Sequence, residues 1–478
     1  MILLSDKGTR HVTLVTVVLG GRALARRVLP RQRTFLWLLA ALAGICARND
    51  LLGVTSIVRT LGLAARCYDR LLDFFHSPAL DVACLTRLWT QRALALFAVH
   101  RFAGRPVLLG DGIKIAKSGR KMPAVKRLHQ ESEGNTKPEF IMGHSVQVIS
   151  MLVAAGASFF AVPLAGRIHE GVKFTNRDHR TLPTKFATLV DSLAIAEPLY
   201  LVADAYYACQ QIALRLRRTD SHLVSRVRRS TSAHQPVPVQ VGARKRGRPR
   251  LYGQKIKLWS LFDSPTQAWQ CAPSPVYGER NVTLRLACLD LVWRPLKQLV
   301  RFVLVDHPTR GRMILITTDL LMPAIDVIRL YGLRFKIELS FKQALRVLGV
   351  YAYHFWMRDM PKITRSSGTQ HLHRKSDPYR EAVRRKLGAY HRHIQIGLIA
   401  QGVLQYLAAS CPALVWASFG SWLRTIRPGI PPSELVTAVA LRNSLPEFIA
   451  QRHIAPIFNK FLQQNIDLDN YEEIRLTG

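Results

Sequence analysis

Val107-Leu-Leu-Gly-Asp111 and Leu199-Tyr-Leu-Val-Ala-Asp204 are short apolar runs, and each stops at an aspartate. Brief apolar runs bounded by turn signals predict buried strands. Between them, the β-rich stretches His144–Ala155 and Ser158–Leu164 flank Gly156, which predicts a hairpin. Leu182–Ala196 and Ala208–Arg218 read as helices, and Leu223–Val227 as a further strand. The order over residues 106–227 is therefore strand, strand, strand, helix, strand, helix, strand. Adjacent antiparallel strands followed by strand–helix–strand crossovers give a mixed α/β sheet.

Only 31 of the 478 residues are Asp or Glu, so an acid at the end of an apolar strand is conspicuous. If strands 107–111 and 199–204 are neighbours, Asp111 and Asp204 converge. Two hard oxygen ligands suit Mg²⁺, which keeps waters and binds substrate phosphate. A third carboxylate, from a helix, would complete a two-metal site that cleaves phosphodiesters. The alternative is that each Asp caps the turn after it, and Asp111-Gly112 is also a plain turn signal.

Outward from this centre, residues 1–100 are periodic in the helical sense through Leu36–Leu42, Ile57–Leu61 and Leu85–Phe97. Thr55–Leu61, Gly62 and Ala64–Phe75 have the outline of a helix-turn-helix, or of an ordinary helical hairpin. Residues 228–310 break the α/β pattern with strand-like runs at Ile256–Leu261, Val282–Leu289 and Gln298–Val305, and read as a β-rich insertion. Met313–Thr317 predicts a strand, and Ala324–Leu348 a helix broken near Gly332. Arg358–Arg392 reads as a basic, mobile loop, and residues 393–478 as helical with an acidic end (Asp467, Asp469, Glu472, Glu473).

Charge narrows the partner. Lys and Arg number 68, of which 50 are Arg, and the net charge is +37. Arg suits planar, multidentate phosphate contacts, and a surplus this large predicts a nucleic-acid partner. It argues against a metabolic enzyme with a small neutral substrate. Ser221–Phe262 carries ten Lys or Arg and no acid. Its Arg244-Lys-Arg-Gly-Arg-Pro-Arg250 core, with Arg246 and Arg248, can lie along a minor groove or form a solvated charge run. Lys114, Lys117, Arg120, Lys121, Lys126 and Arg127 follow Asp111 with no intervening acid and are placed to clamp DNA beside the site. His144, His169 and His179 lack paired metal spacing and read as structural or DNA-facing. The seven cysteines form no Cys-x-x-Cys pair, which excludes a zinc ribbon and fits a reducing compartment. Phe35–Cys46 is too short to span a bilayer, Val12–Gly21 reads as a buried element, and Ile394–Leu423 reads as core helices. No membrane partner is expected.

The segment Tyr331-Gly-Leu-Arg334-Phe-Lys-Ile-Glu338-Leu-Ser-Phe-Lys342 resembles the Tyr-x2-Arg-x3-Glu-x6-Lys signature of bacterial insertion-sequence DDE transposases, the type-four insertion-sequence family. Gly110-Asp-Gly-Ile-Lys114, Val202-Ala-Asp-Ala205 and Lys245-Arg-Gly-Arg-Pro249 agree with it, and the likeness covers about residues 110–350. The acids are 93 and 134 residues apart, and the longer interval leaves room for the all-β insertion of that family. The resemblance implies a ribonuclease H-like core, Asp111, Asp204 and Glu338 as catalytic metal ligands, and Tyr331 and Arg334 as contacts to the DNA end. One departure stands out: the signature Lys falls on Leu345. On a regular helix Lys342 shares the face of Glu338, while Arg346 points well off it. Lys342 is therefore expected to take the phosphate role, or to pair with Glu338 at i,i+4.

The combined expectation is an α/β, ribonuclease H-like mixed-sheet core with a mostly β insertion and helical N- and C-terminal regions. Its divisions are 1–100 (DNA-binding), 101–227 and 311–350 (core), 228–310 (insertion) and 351–478 (basic loop and helices). The expected activity is cleavage of transposon ends and strand transfer, dependent on Mg²⁺, with Mn²⁺ as a substitute. The expected partner is double-stranded DNA, as terminal inverted repeats and target, with a homodimer in the synaptic complex in the cytoplasm at a bacterial nucleoid. The alternatives are a ribonuclease H-like nuclease without strand transfer and a non-catalytic DNA-binding derivative.

Overall fold

A computed structural model describes residues 31–130, 138–237, 250–422, 425–427, 429–450 and 456–467. Val12–Gly21, Arg246, Arg248 and the acids Asp469, Glu472 and Glu473 lie outside them. The helices are α1 (Gln32–Ala47), α2 (Val54–Thr60), α3 (Arg66–His76), α4 (Val82–Leu96), α5 (Leu182–Ser192), α6 (Gln210–Arg217), α7 (Ala324–Gly332), α8 (Phe335–Gln343), α9 (Asp377–Ser410), α10 (Pro412–Phe419), α11 (Glu434–Ala450) and α12 (Pro456–Gln463). The longer strands are β1 (Arg105–Ala116), β2 (Lys126–His129), β3 (Phe140–Ala155), β4 (Ser158–Ile168), β5 (Tyr200–Ala203), β6 (His222–Arg226), β7 (Ser232–His234), β8 (Lys255–Lys257), β9 (Gln270–Pro273), β10 (Thr283–Trp293), β11 (Gln298–His307) and β12 (Gly311–Thr317). None of these helices is by itself long and apolar enough to cross a membrane.

The strands join one mixed sheet of 13 among the described residues, in the order β8-β7-β10-β11-β12-β6-β5-β1-β3-β2. β1 lies between β3, antiparallel to it, and β5, parallel to it; β6 continues the parallel group. β5 and β6 are joined through α6, the crossover that a parallel pair requires. The strands of residues 228–310 extend the same sheet, because β12 pairs with both β6 and β11. Gly156 turns between β3 and β4 at φ +56°, a left-handed conformation that a side chain would strain.

β4 forms one edge, pairing with β3 alone among the described residues. An uncovered edge leaves backbone groups unsatisfied and sticky. Here α4 and α9 cover it. Trp89 Nε1 donates to Pro163 O (2.8 Å), Gln395 Nε2 to Leu164 O (2.8 Å) and Gln405 Nε2 to Ala161 O (3.2 Å). This accounts for Gln395 and Gln405 inside an otherwise apolar, buried stretch of α9.

Two expectations need correction. The strand bearing Asp111 does not stop there: β3 keeps pairing with β1 as far as Ala116 opposite Gly143, although β5 ends opposite Gly110. Asp111 thus lies in mid-strand, one residue beyond its parallel neighbour, whereas Asp204 does follow the end of β5. The stretch Arg358–Arg392 is not loop throughout, since α9 begins at Asp377 with Pro378 in its first turn. Its Arg-rich composition hid a helix that buries Val383, Ala389 and Tyr390 and exposes Arg384 and Arg385.

Gly110 packs against α5, and a Cβ there would stand 2.5 Å from Phe186 Cζ. Overpacking of this kind costs about 1–3 kcal/mol. Gly110→Ala should lower stability by that amount in urea titration, and adding Phe186→Leu should recover part of it.

Candidate active site

Asp111 comes from β1, Asp204 from the turn after β5, and Tyr331, Arg334 and Glu338 from the end of α7 and the start of α8. The break at Gly332 lets two short helices follow each other, so that Arg334 and Glu338 lie one turn apart on one face. Arg334 Nη1 donates to Asp111 Oδ2 (2.8 Å) and Nη2 to Glu338 Oε1 (2.7 Å). The Tyr331 hydroxyl donates to Asp204 Oδ1 at 3.5 Å. Acids separated by 93 and 134 residues therefore face one arginine and its neighbouring tyrosine.

Burial sets the electrostatics. Asp111 is pushed up to about 6, chiefly because it is buried; Arg334 and the Gly112 amide oppose the rise, while Asp204 and Glu338 add to it. Burial works against the Arg334 charge, but Asp111, Tyr331, Glu338 and Asp204 together hold it above the ordinary arginine range. Burial raises Tyr331 to about 12, so its hydroxyl keeps its proton.

A further layer behind Asp111 was not legible in the sequence. Gln147 of β3 donates through Nε2 to the Tyr207 hydroxyl at 3.4 Å, and its Oε1 accepts from His169 Nδ1 at 2.6 Å. His169 is lowered to about 3 by burial and so stays neutral. The Tyr207 hydroxyl lies where a Cβ on Gly112 would approach it to 3.3 Å, so glycine at 112 leaves room for it. Gln147 and Tyr207 carry no local signal, whereas His169 reads as structural or DNA-facing and is structural here; the three meet because β3, the end of β4 and the turn after β5 are neighbours.

The basic residues fare differently. Lys117 is buried and donates to Tyr351 O and, at 3.0 Å, to Tyr353 O. Burial lowers it to about 7. It is a structural lysine, and the expectation of a phosphate contact is corrected. Lys114 donates to His129 O and Lys121 to Arg358 O. Lys126 pairs with Glu170, and Arg127 lies over the Phe140 ring. Lys342 and Arg346 are both exposed, but Glu338 pairs with Arg334. The helix widens into a π turn at Ala344–Leu348, so the regular-helix direction expected for Arg346 does not hold there. His144 is structural, bonded to the Tyr353 hydroxyl (2.8 Å) and to Pro123 O (2.9 Å).

Among the described residues, no three His, Cys, Asp or Glu side chains stand close enough to share one ion. The guanidinium of Arg334 occupies the space between Asp111 and Glu338. The donor set, all carboxylate oxygen around a position that already holds positive charge, suits a hard divalent cation.

The family model of the DDE superfamily endonucleases matches residues 26–285, more than half of the chain, and the chain belongs to that family. The matched span contains Asp111 and Asp204. Among solved structures the chain is similar to piggyBac transposase in a cryo-EM synaptic complex with hairpin DNA, at 11% identity and a TM-score of 0.38, over 95% of this chain and 84% of that one. No curated protein matches the chain.

Because folded Asp111 titrates near 6 and an unfolded aspartate near 4, the folded chain binds the extra proton between those values. Stability contributed by that proton is present below about pH 4 and lost as pH rises through about 6. In metal-free urea titrations, Asp111→Asn should match the parent at pH 4 and exceed it by up to about 3 kcal/mol at pH 7. Parallel curves across the range would rule out the buried-acid account.

Proposed function

We propose that the chain is a Mg²⁺-dependent transposase of the type-four insertion-sequence kind, which cleaves the ends of its element and joins the freed 3′-hydroxyl to target DNA. The observation that carries this reading is the convergence of Asp111 and Glu338 on Arg334, with Asp204 on the neighbouring Tyr331, in a chain so poor in acids. On this reading the strands β4-β3-β1-β5-β6 are a ribonuclease H-like core, and β7–β11 are the insertion in it.

Asp111, Asp204 and Glu338 would hold the metal, which when bound supplies charge neutralisation at the phosphodiester and activation of water. The remaining work falls to the chain's own groups. A guanidinium binds carboxylate and phosphate in the same two-pronged way, so Arg334 can leave Asp111 and Glu338 for a DNA phosphate. The exchange clears the carboxylates when substrate arrives. Tyr331, still protonated, can donate to a phosphate oxygen. Both steps are in-line displacements, so positioning and charge stabilisation suffice for each. Joining two ends requires at least two protomers.

The deciding experiment maps nicks on the element's own ends with purified protein and Mg²⁺ or Mn²⁺. Asp111→Asn, Asp204→Asn and Glu338→Gln should each reduce cleavage at least about a hundred-fold, since the metal site supplies several kcal/mol of charge stabilisation. End binding should stay within a few-fold. Full activity in any one of them would remove that residue from the site, and nicks without joined products would favour the nuclease without strand transfer.

Electrostatics gives a second test. Affinity for duplex ends should fall with salt at a log–log slope of about −0.9 per phosphate contacted. Arg246→Ala with Arg248→Ala should make the slope shallower by about two contacts' worth. Of the candidates to replace the signature lysine, Lys342→Ala should impair end binding more than Arg346→Ala does.

A further inference from the structure

The chain leaves the helix of Glu338 through Gly349, which is left-handed at φ +58°, and enters the extended segment Tyr351-Ala-Tyr-His-Phe-Trp-Met-Arg358. Burial alternates strictly along it. Tyr351, Tyr353, Phe355 and Met357 point inward and are buried, while His354, Trp356 and Arg358 point outward and are exposed. This is the two-residue period of a strand, yet no strand pairs with it among the described residues.

Tethers on its inner side replace the missing strand. Lys117 Nζ donates to Tyr351 O and Tyr353 O. The Tyr390 hydroxyl donates to Phe355 O at 2.7 Å, and the Met357 amide to Lys121 O at 3.0 Å. Behind the backbone, Tyr353 stacks on Tyr390 with centroids 4.8 Å apart, and Met357 packs with Met360, Leu372 and Val383. A segment held this firmly fixes the direction of its outer side chains before any ligand arrives.

Trp356 is 67% exposed. Its indole lies beside Gly119, where an added Cβ would come within 3.5 Å of Nε1. Exposed Arg120, Arg358, Lys362, Arg365, Arg374 and Lys375 belong to the same two stretches, 117–127 and 351–376, whose one acid is Asp359. An isolated surface tryptophan needs no explanation. One carried on a tethered backbone within a cationic surface has charge complementarity to a polyanion and an open π face for a base.

We propose that His354, Trp356 and Arg358 form a binding surface for unpaired DNA, with Trp356 stacking on a base and the cations holding the phosphates. Alternate residues of an extended chain stand about 7 Å apart, twice the 3.4 Å rise of a duplex strand. The row therefore matches a stretched single strand, whose base faces are open, better than a duplex. Lys117 follows Asp111 by six residues, about 20 Å along β1. The surface thus lies about three to six nucleotides from the carboxylates, depending on how far the strand is stretched. That DNA is the nucleic acid, and that the strand becomes unpaired there, rest on the transposase reading.

The test uses the full chain in chelator, so that binding is read without cleavage. The probes are a labelled single-stranded oligo-dT carrying one 2-aminopurine and a hairpin duplex of equal charge. Trp356→Ala should weaken the single strand by roughly 5- to 100-fold, the range that stacking on one aromatic gives, and should abolish the 2-aminopurine quench. Duplex affinity should change less than two-fold, and Trp356→Phe should recover most of the loss. Arg358→Ala should instead make the single-strand salt slope shallower by about 0.7. Equal losses on both probes, no loss on either, or failure of Phe to rescue an Ala variant with parental thermal stability would overturn the proposal. Nick mapping in Mg²⁺ separates the two readings. Cleavage of element ends with a silent Trp356→Ala would sink this surface alone, whereas a Trp356 effect in a chain that cleaves nothing would leave it standing.

Discussion

One guanidinium holds the centre of this molecule together. Arg334 is the link between β1 and α8, the second helix after the last long strand, and it makes that link in a half-buried place. A charge there is tolerable only if it is paired and hydrogen-bonded, and Asp111 and Glu338 meet that condition while Asp204 and Tyr331 add to the field. The dependence runs both ways. Asp111 is costly to ionise where it sits, and Arg334 offsets much of that cost. Removing Arg334 would leave Asp111 without that offset, which is the damaging case. The same pairing keeps the carboxylates from closing on one another, so the arrangement suits a chain waiting for a polyanion.

The rest of the architecture supports this point. β1 receives β5 on one side only as far as Gly110, so Asp111 emerges where the parallel neighbour stops, on a strand still held by β3. Gly110 permits Phe186 to press against the strand, and Gly112 leaves space for the Tyr207 hydroxyl. Position is thus set by packing behind the strand, and a displacement of 1 Å in such a site costs heavily in rate.

Much of this was legible in order but less so in extent. The alternation of strands and helices over residues 106–227 was plain because short apolar runs and helical periods alternate there. Asp111 was misplaced at a strand end because Asp-Gly is a strong turn signal, and only cross-strand pairing over the next five residues overrides it. The start of α9 was obscured by its arginines, which lie on an exposed face. Lys117 read as a DNA contact because sequence records its charge and not its burial. The joining of Tyr207, Gln147 and His169 left no signal, since what brings them together is sheet order. The nearness of Glu338 to Arg334 was legible because the two lie one helical turn apart.

The covered edge of β4 bears on how the chain is made. Its carbonyls at Ala161, Pro163 and Leu164 are satisfied in part by Gln395 and Gln405, more than two hundred residues later. Trp89 of α4 is made before β4, but at about 5–20 residues per second of synthesis roughly 10–50 s pass between the emergence of β4 and that of the part of its cover that α9 supplies. For that interval the nascent sheet presents an apolar strand with an open hydrogen-bonding side, the template on which other chains pair. Slower translation lengthens that exposure.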